Sequence, residues 1–168
     1  YDALQLTQKV LLNSFYGVLG LKTFRFHDLD NAGAITATGQ SVIKFSAKVI
    51  NAYYTKETGK DHFFNSTNSG RPSPFSFYTD TDSTFVSSLP IIENRYPDYD
   101  ESDEQFMIEK TNEVASEIQK HVNAMYDHYA LKFHNTSDHR FQIKQEYVAK
   151  SGLWIAKKRY AQWVIFKE

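Results

Sequence analysis

Asp80 and Asp82 stand one residue apart between two short runs rich in aromatic and β-branched residues, Phe75 to Thr79 and Thr84 to Leu89. Runs of this kind on either side of Asp80-Thr81-Asp82-Ser83 predict a hairpin with the acids at its tip. Two carboxylates held that close repel one another. Both keep their charge best when a hard divalent cation sits between them and an incoming phosphate, and magnesium fits that description. An ordinary acidic turn would read the same way.

Asp80 to Thr84 also spells DxDxT, the pattern of aspartyl-phosphate phosphotransferases, in which Asp80 would carry covalent phosphate. That chemistry needs a buried parallel strand before the aspartate, which reads as a continuous apolar run. Phe75, Ser76, Phe77, Tyr78 and Thr79 alternate instead, as a half-exposed hairpin does.

Two further groupings could carry chemistry. Lys9, Asn13 and Tyr16 are spaced four and three apart, which places them on one face of a helix. A cation, an amide and an aromatic ring in a row suit a ligand with phosphates at one end and a base at the other, although a solvated stripe has the same pattern. Lys157, Lys158, Arg159 and Tyr160 lie in a strand-like stretch flanked by Trp154 and Trp163. Alternation would put Lys158 and Tyr160 on one surface and Lys157 and Arg159 on the other. A basic, aromatic strand can follow a nucleic-acid backbone, and an edge strand kept soluble by lysines is the plainer alternative. Glu146 is the only acid in the preceding strand-like run and could face the same site.

The elements that must position these groups follow from periodicity and breakers. Residues 2–16 hold good helix formers and no Gly or Pro before Gly17 and Gly20, which predicts a helix ending there. A second helix, capped by Asn31, carries the apolar stripe Ile35, Val42, Phe45 and Val49 and ends at Gly59. Asn65 to Pro74 reads as a loop, with mobility expected over about 60–74, and Pro90 to Asp103 as a polar, acidic insertion. Ser102 and Gln105 fit a capping box for a long helix with Met107, Val114, Ile118, Val122, Met125 and Tyr129 on its packed face. Phe141 to Val148 and Leu153 to Phe166 read as two strands around a turn at Lys150, Ser151 and Gly152. Helices and antiparallel hairpins in blocks predict an α+β fold with a sheet covered on one face.

Composition bounds the rest. A chain of 168 residues with 41% apolar residues is long enough for roughly one domain of ~100 to 200 residues. The absence of Cys excludes disulfides, thiol nucleophiles, iron–sulfur clusters and thiolate zinc sites, and points to a reducing compartment. No apolar run approaches the ~20 residues that span a bilayer, so a soluble, intracellular protein without a membrane partner is expected. Position 1 is Tyr, and the first residues read as the interior of a helix, as in a piece of a longer chain. The net charge of −1 hides an uneven distribution. Residues 1–60 carry seven basic and four acidic groups, 93–117 two and nine, and 140–168 seven and two. Basic ends become informative only when other residues bring a polyanion beside them.

Taken in order, Lys9-Val10-Leu11-Leu12-Asn13-Ser14-Phe15-Tyr16-Gly17, Tyr78-Thr79-Asp80-Thr81-Asp82-Ser83 and Lys157-Lys158-Arg159-Tyr160 closely resemble the KxxxNSxYG, YxDTDS and KKRY motifs of family B DNA polymerases. Asp28-Leu29, Asn31-Ala32, Ala34-Ile35-Thr36 and Gly39-Gln40 further look like the polymerases of T-even-type tailed phages. The resemblance covers essentially the whole chain. It implies the second fingers helix over residues 1–20 and a partial palm over 21–168. It implies a DNA-directed DNA polymerase that adds deoxynucleotides to a primer end in replication, with two magnesium ions as cofactor. Lys9 and Asn13 would bind the triphosphate of the incoming deoxynucleoside triphosphate. Tyr16 and Gly17 would lie against the nascent base pair. Asp82 would bridge the metals with Asp80 in support, and Glu146 matches a further acid near them. Lys158 and Tyr160, with Lys157 and Arg159 beside them, would hold the primer–template DNA. A sliding clamp and the cytoplasm of a bacterial host are implied as partner and place.

One departure matters. The family's other metal carboxylate comes from a DxxSLYP-type strand upstream of the first motif, and no such run occurs in these residues. The second carboxylate would have to come from the remainder of the polymerase chain, so this polypeptide alone is expected not to extend a primer and to expose apolar surface. The alternative from another class is a non-catalytic nucleic-acid-binding module on a palm-like sheet, with an idle acidic turn.

Overall fold

Leu, Gln, Ala and Lys, all good helix formers, fill most of the first turns and form α1, Asp2–Leu19. The computed structural model describes residues 2–59, 75–80 and 82–167, so the expected mobile loop over 60–74 lies outside the described residues. The chain divides into two compact units, Tyr1–Ser41 and Val42–Glu168. The boundary falls inside the second helix, α2, Leu29–Thr58.

In the first unit, α1 runs through Gly17 and stops at Gly20. Its last carbonyls need partners, and the returning chain supplies them. The Asp28 N–H donates to the Leu19 carbonyl at 3.0 Å, and the His27 ring nitrogen Nδ1 lies 2.9 Å from the same oxygen. Asp28, not Asn31, caps α2. Its carboxylate accepts from the Asn31 backbone N–H at 3.0 Å and from the Asn31 side-chain amide at 2.6 Å. First-turn N–H groups point back at the residue preceding the helix, so the acceptor has to sit there. The expected stripe on α2 is core only from Val42 onward, because Ile35 is exposed. The C-terminal end is as read, with Gly59 at φ 65 donating its N–H to the Thr55 carbonyl.

The second unit holds the core. Val49, Ile50 and Tyr54 of α2 meet Phe75, Ile91, Ile92, Val114, Ile118, Val122 and Tyr126. Ile91 and Ile92 belong to a helix, α3, Leu89–Arg95, inside the stretch expected to be a polar insertion. Pro90 opens the helix, its fixed φ suiting the first turn. The adjacent isoleucines turn inward while the acids around them stay at the surface. The long helix follows as α4, Glu104–His134, with Val114, Ile118, Val122 and Tyr129 buried as expected and Met107 and Met125 packed against the core. Its cap is Asp103, which accepts from the Phe106 N–H at 3.0 Å. Ser102 donates instead to Asp100. A serine already engaged by a neighbouring carboxylate cannot serve the capping box predicted for it.

Arg95 ties three helices together. Its guanidinium meets Glu57 of α2 and Glu117 of α4, each at 2.8 Å, and Tyr53 donates to the same Glu117 oxygen at 2.7 Å. The Arg95 and Tyr53 hydrogen bonds hold the Glu117 carboxyl below the usual glutamate range. A depressed folded value contributes stability that is present above the unfolded value, ~4.3, and is lost as pH falls through the folded one. Glu117→Gln is therefore expected to flatten the acid limb of a thermal-denaturation series below roughly pH 4, at a neutral-pH cost held to about 1 kcal/mol by partial exposure. An unchanged acid limb in the variant would show that Glu117 plays no part in it.

Among the described residues the strands form two separate antiparallel pairs. In the first, β1, Ser76–Asp80, pairs with β2, Ser83–Val86, with Asp80 opposite Ser83. In the second, β3, Tyr147–Ala156, pairs with β4, Arg159–Lys167. The α+β class stands, but the second turn is not at Lys150, Ser151 and Gly152. It is at Lys157 and Lys158, between the paired residues Ala156 and Arg159. Gly152 lies mid-strand opposite Gln162, and a Cβ there would run into the Trp154 indole. Its glycine answers a packing need rather than a turn. Residues 141–146, expected to begin the strand, join none. Amide side chains of α4 take a neighbouring strand's place: Asn123 both accepts from and donates to Ile143, and Gln119 accepts from the Gln145 N–H.

Candidate functional site

The β1–β2 hairpin is moored at its base. Tyr54, wholly buried, stacks on Phe75 with ring centroids 4.5 Å apart and donates its hydroxyl to the Ser87 carbonyl at 2.7 Å. The Ser87 N–H in turn donates to the Phe75 carbonyl at 3.0 Å. At the other end, the Asp80 carbonyl accepts from the Asp82 N–H and from the Ser83 hydroxyl. This local bonding closes the tip and puts two carboxylates there by backbone geometry alone. The Asp80 side chain is only 16% exposed, while Asp82 is exposed.

Aromatic rings join this hairpin to the β3–β4 hairpin. A register irregularity between Ser76 and Tyr78 leaves Phe77 without a pairing partner. Phe77 meets Trp154 edge-on at 4.6 Å, and Phe85 meets Trp154, Tyr160 and Tyr147. Tyr78 packs on Tyr160 with centroids 5.6 Å apart. Edge-on contacts of this kind add about 0.5–1.5 kcal/mol each beyond area burial, enough to hold two short hairpins in one arrangement.

That arrangement brings the basic turn to the acidic tip. Lys158 Nζ lies 3.7 Å from Asp80 Oδ1, and the Lys158 backbone N–H donates to the Tyr78 hydroxyl at 2.8 Å. Lys157 and Lys158 are the turn residues, so the expected alternation of faces through Lys157 to Tyr160 does not apply. Instead Lys158 and Tyr160 both meet Tyr78, while Lys157 and Arg159 are exposed beside them. The Lys158 side chain is 65% exposed. An ion pair this open contributes less than about 1 kcal/mol, so the ammonium can leave Asp80 for a stronger anion at little cost.

Glu146 is exposed just before β3, at the opposite end of that strand from the Lys157–Lys158 turn. Its neighbour Tyr147 donates to Gln162 at 2.6 Å, and burial, followed by the Tyr160 and Glu146 charges, pushes the Tyr147 phenol up. Among the described residues no cluster of three or more His, Cys, Asp or Glu side chains could hold a metal ion. The donor chemistry of the tip still suits magnesium, which is commonly held by one or two carboxylates with water and substrate phosphates completing the shell. Asp82 and Asp80 therefore fit one side of such a centre.

On α1, Lys9, Asn13, Tyr16 and Gly17 are all exposed. Leu4, Leu6, Val10, Leu11, Leu12 and Phe15 of the same helix are exposed as well. A helix apolar on several sides is ordinarily a covered one.

Sequence reasoning missed the residues that join the hairpins: Phe77, Phe85, Trp154 and the hydroxyl of Tyr78. The available signal was the density of aromatic residues in both hairpins. Nothing in local spacing says that position 78 reaches position 158.

An acidic hairpin tip closed by its own backbone, with a basic hairpin turn set on it, stands within an α+β fold. The comparison with known families is specific: the chain belongs to DNA polymerase family B, whose model matches residues 1–168. It is 32% identical over 169 residues to the DNA-directed DNA polymerase of Enterobacteria phage T4 and 28% identical over 165 residues to that of Escherichia phage RB69. Each match covers 94% of this chain and 17% of the phage protein, so the chain spans about a sixth of those relatives. A 50-residue match, 42% identical, links 30% of the chain to 2% of a DNA polymerase epsilon catalytic protein of Dictyostelium discoideum. No solved structure matches. No helix among the described residues is long and apolar enough to cross a membrane.

Proposed function

We propose that this chain supplies part of the polymerising centre of a template-dependent DNA polymerase acting in DNA replication, with primer–template DNA and deoxynucleoside triphosphates as substrates. The observation that carries the reading is the 3.7 Å approach of Lys158 to Asp80, which unites two motifs nearly 80 residues apart at one point. Family membership and the two phage relatives support it. In this reading residues 1–20 are fingers and 21–168 palm. The exposed apolar side chains of α1 are covered by the rest of the polymerase chain, and a phage enzyme of this kind works in the host cytoplasm, with a sliding clamp as a further partner.

Each group then has a task its chemistry allows. Lys9 and Asn13 offer a cation and an amide donor to the triphosphate, and Tyr16 with Gly17 presents a flat surface for the nascent base pair. Lys158 and Tyr160 hold the primer end, Lys158 in the minor groove, where acceptors recur in nearly every base pair. Lys157 and Arg159 add backbone charge contacts. Asp82, with Asp80 near it and a second carboxylate from elsewhere in the full-length protein, would hold two magnesium ions, which would supply activation of the primer 3′-hydroxyl and charge relief at the departing pyrophosphate, with Glu146 as a further acid at the other end of β3. The carboxylates' own work is to fix where positive charge stands before the substrates arrive.

The test is single-nucleotide primer extension by the full-length protein across a magnesium series. Turnover should require the metal, and Lys9→Ala should raise the nucleotide KM roughly 10-fold, as loss of a charge-assisted phosphate contact does, with DNA affinity unchanged. Salt-sensitive DNA binding with no metal-dependent turnover would establish the non-catalytic binding module instead.

A further inference from the structure

Lys158 adopts φ 63, one of two non-glycine residues with positive φ among those described. A side chain at the second position of a two-residue hairpin turn in this region is strained, and glycine or asparagine is the usual occupant. Such a conformation persists only where surrounding contacts over-determine it. Two contacts do so here, the Asp80 carboxylate on the Lys158 ammonium and the Tyr78 hydroxyl on the Lys158 N–H. The first is weak and would be given up when the ammonium engages DNA. The second engages only the backbone of Lys158, through the Tyr78 hydroxyl, and survives that exchange. Tyr78 is itself held in place by the rings of Phe85 and Tyr160.

We propose that Tyr78 is a positioning residue for the primer end: its hydroxyl fixes the left-handed Lys157–Lys158 turn and so aims the Lys158 ammonium. The inference rests on the polymerase reading, in that Lys158 must touch DNA for its aim to matter. Tyr78 acts through Lys158 and touches neither nucleotide nor metal. Removing its oxygen therefore loosens one contact with DNA and leaves the nucleotide side of the reaction alone.

A double-mutant cycle in the full-length protein tests this, with affinity for a primer–template duplex and nucleotide KM measured separately. Tyr78→Phe keeps the ring packing and is expected to weaken duplex binding roughly 3- to 10-fold, the scale of one net hydrogen bond, with nucleotide KM and melting temperature unchanged. In a Lys158→Ala background the same change should have no further effect, because the ammonium it aims is gone. Wild-type affinity in Tyr78→Phe, or penalties that multiply in the double variant, would overturn the proposal while leaving the polymerase reading in place. Unchanged duplex binding in Lys158→Ala alone would overturn it through its foundation, by removing Lys158 from the DNA contact.

Discussion

Asp82→Ala in the full-length protein is expected to lower metal-dependent primer extension by on the order of 10³-fold, while primer–template affinity shifts by less than about threefold. The expected size follows from what the carboxylate would do. A pre-placed negative charge holding a divalent cation acts where charge develops in the transition state, and groups of that kind are worth several kcal/mol to the reaction and little to ground-state binding. Asp82 suits such a test because its side chain is exposed. Exposed substitutions of this kind usually change stability by no more than about 0.5 kcal/mol, so a large loss of rate could not be ascribed to unfolding. Asp80 is a poorer subject. Its side chain is largely covered and pairs with Lys158, so replacing it disturbs the basic turn as well as the tip. Extension by Asp82→Ala within about 10-fold of wild type would remove this residue from the metal-holding role and favour the binding module.

What could be read from the residues, and what could not, divides along contact distance in sequence. Local devices were legible. The long α4 face, the Gly59 stop and the hairpin around Asp80 to Ser83 follow from periodicity and breakers, and each appears in the structure. Errors arose where two residues competed for one local task. Asp28 and Asp103 hold the helix caps assigned to Asn31 and Ser102, because a carboxylate just outside the helix is the nearer acceptor. Gly152 resembled a turn but is a space for an indole ring, and the true turn uses Lys158 in a conformation that its residue type disfavours. The three polymerase-like motifs were legible as strings. The contact between two of them was not, since it depends on five aromatic side chains from four strands agreeing on one arrangement.

The anchoring of the acidic hairpin yields the other large expected effect. Tyr54→Ala should destabilise the second unit by about 3–5 kcal/mol, the range for deleting a buried aromatic ring, as read by denaturant unfolding of this chain. Tyr54 is wholly buried, stacks on Phe75 and donates to the Ser87 carbonyl, so its loss removes packing and leaves an acceptor unpaired. Tyr54→Phe separates the two parts. It keeps the ring and should cost about 1 kcal/mol, the net worth of one hydrogen bond plus part of a desolvation penalty. Burial pushes the Tyr54 phenol well up, so the donor stays protonated and neither variant's cost should vary between pH 6 and about 9. Functionally, the ring sits at the base of β1 and the carboxylates at its tip. Because Ser87 also donates back to Phe75, Tyr54→Phe should keep the base closed and retain extension, whereas Tyr54→Ala should lose extension at temperatures where the rest of the protein is still folded. If Tyr54→Ala cost less than about 1 kcal/mol, the hairpin would be moored by something other than this ring, and the route from core packing to carboxylate placement would have to be drawn through Ile91, Ile92 and α3 instead.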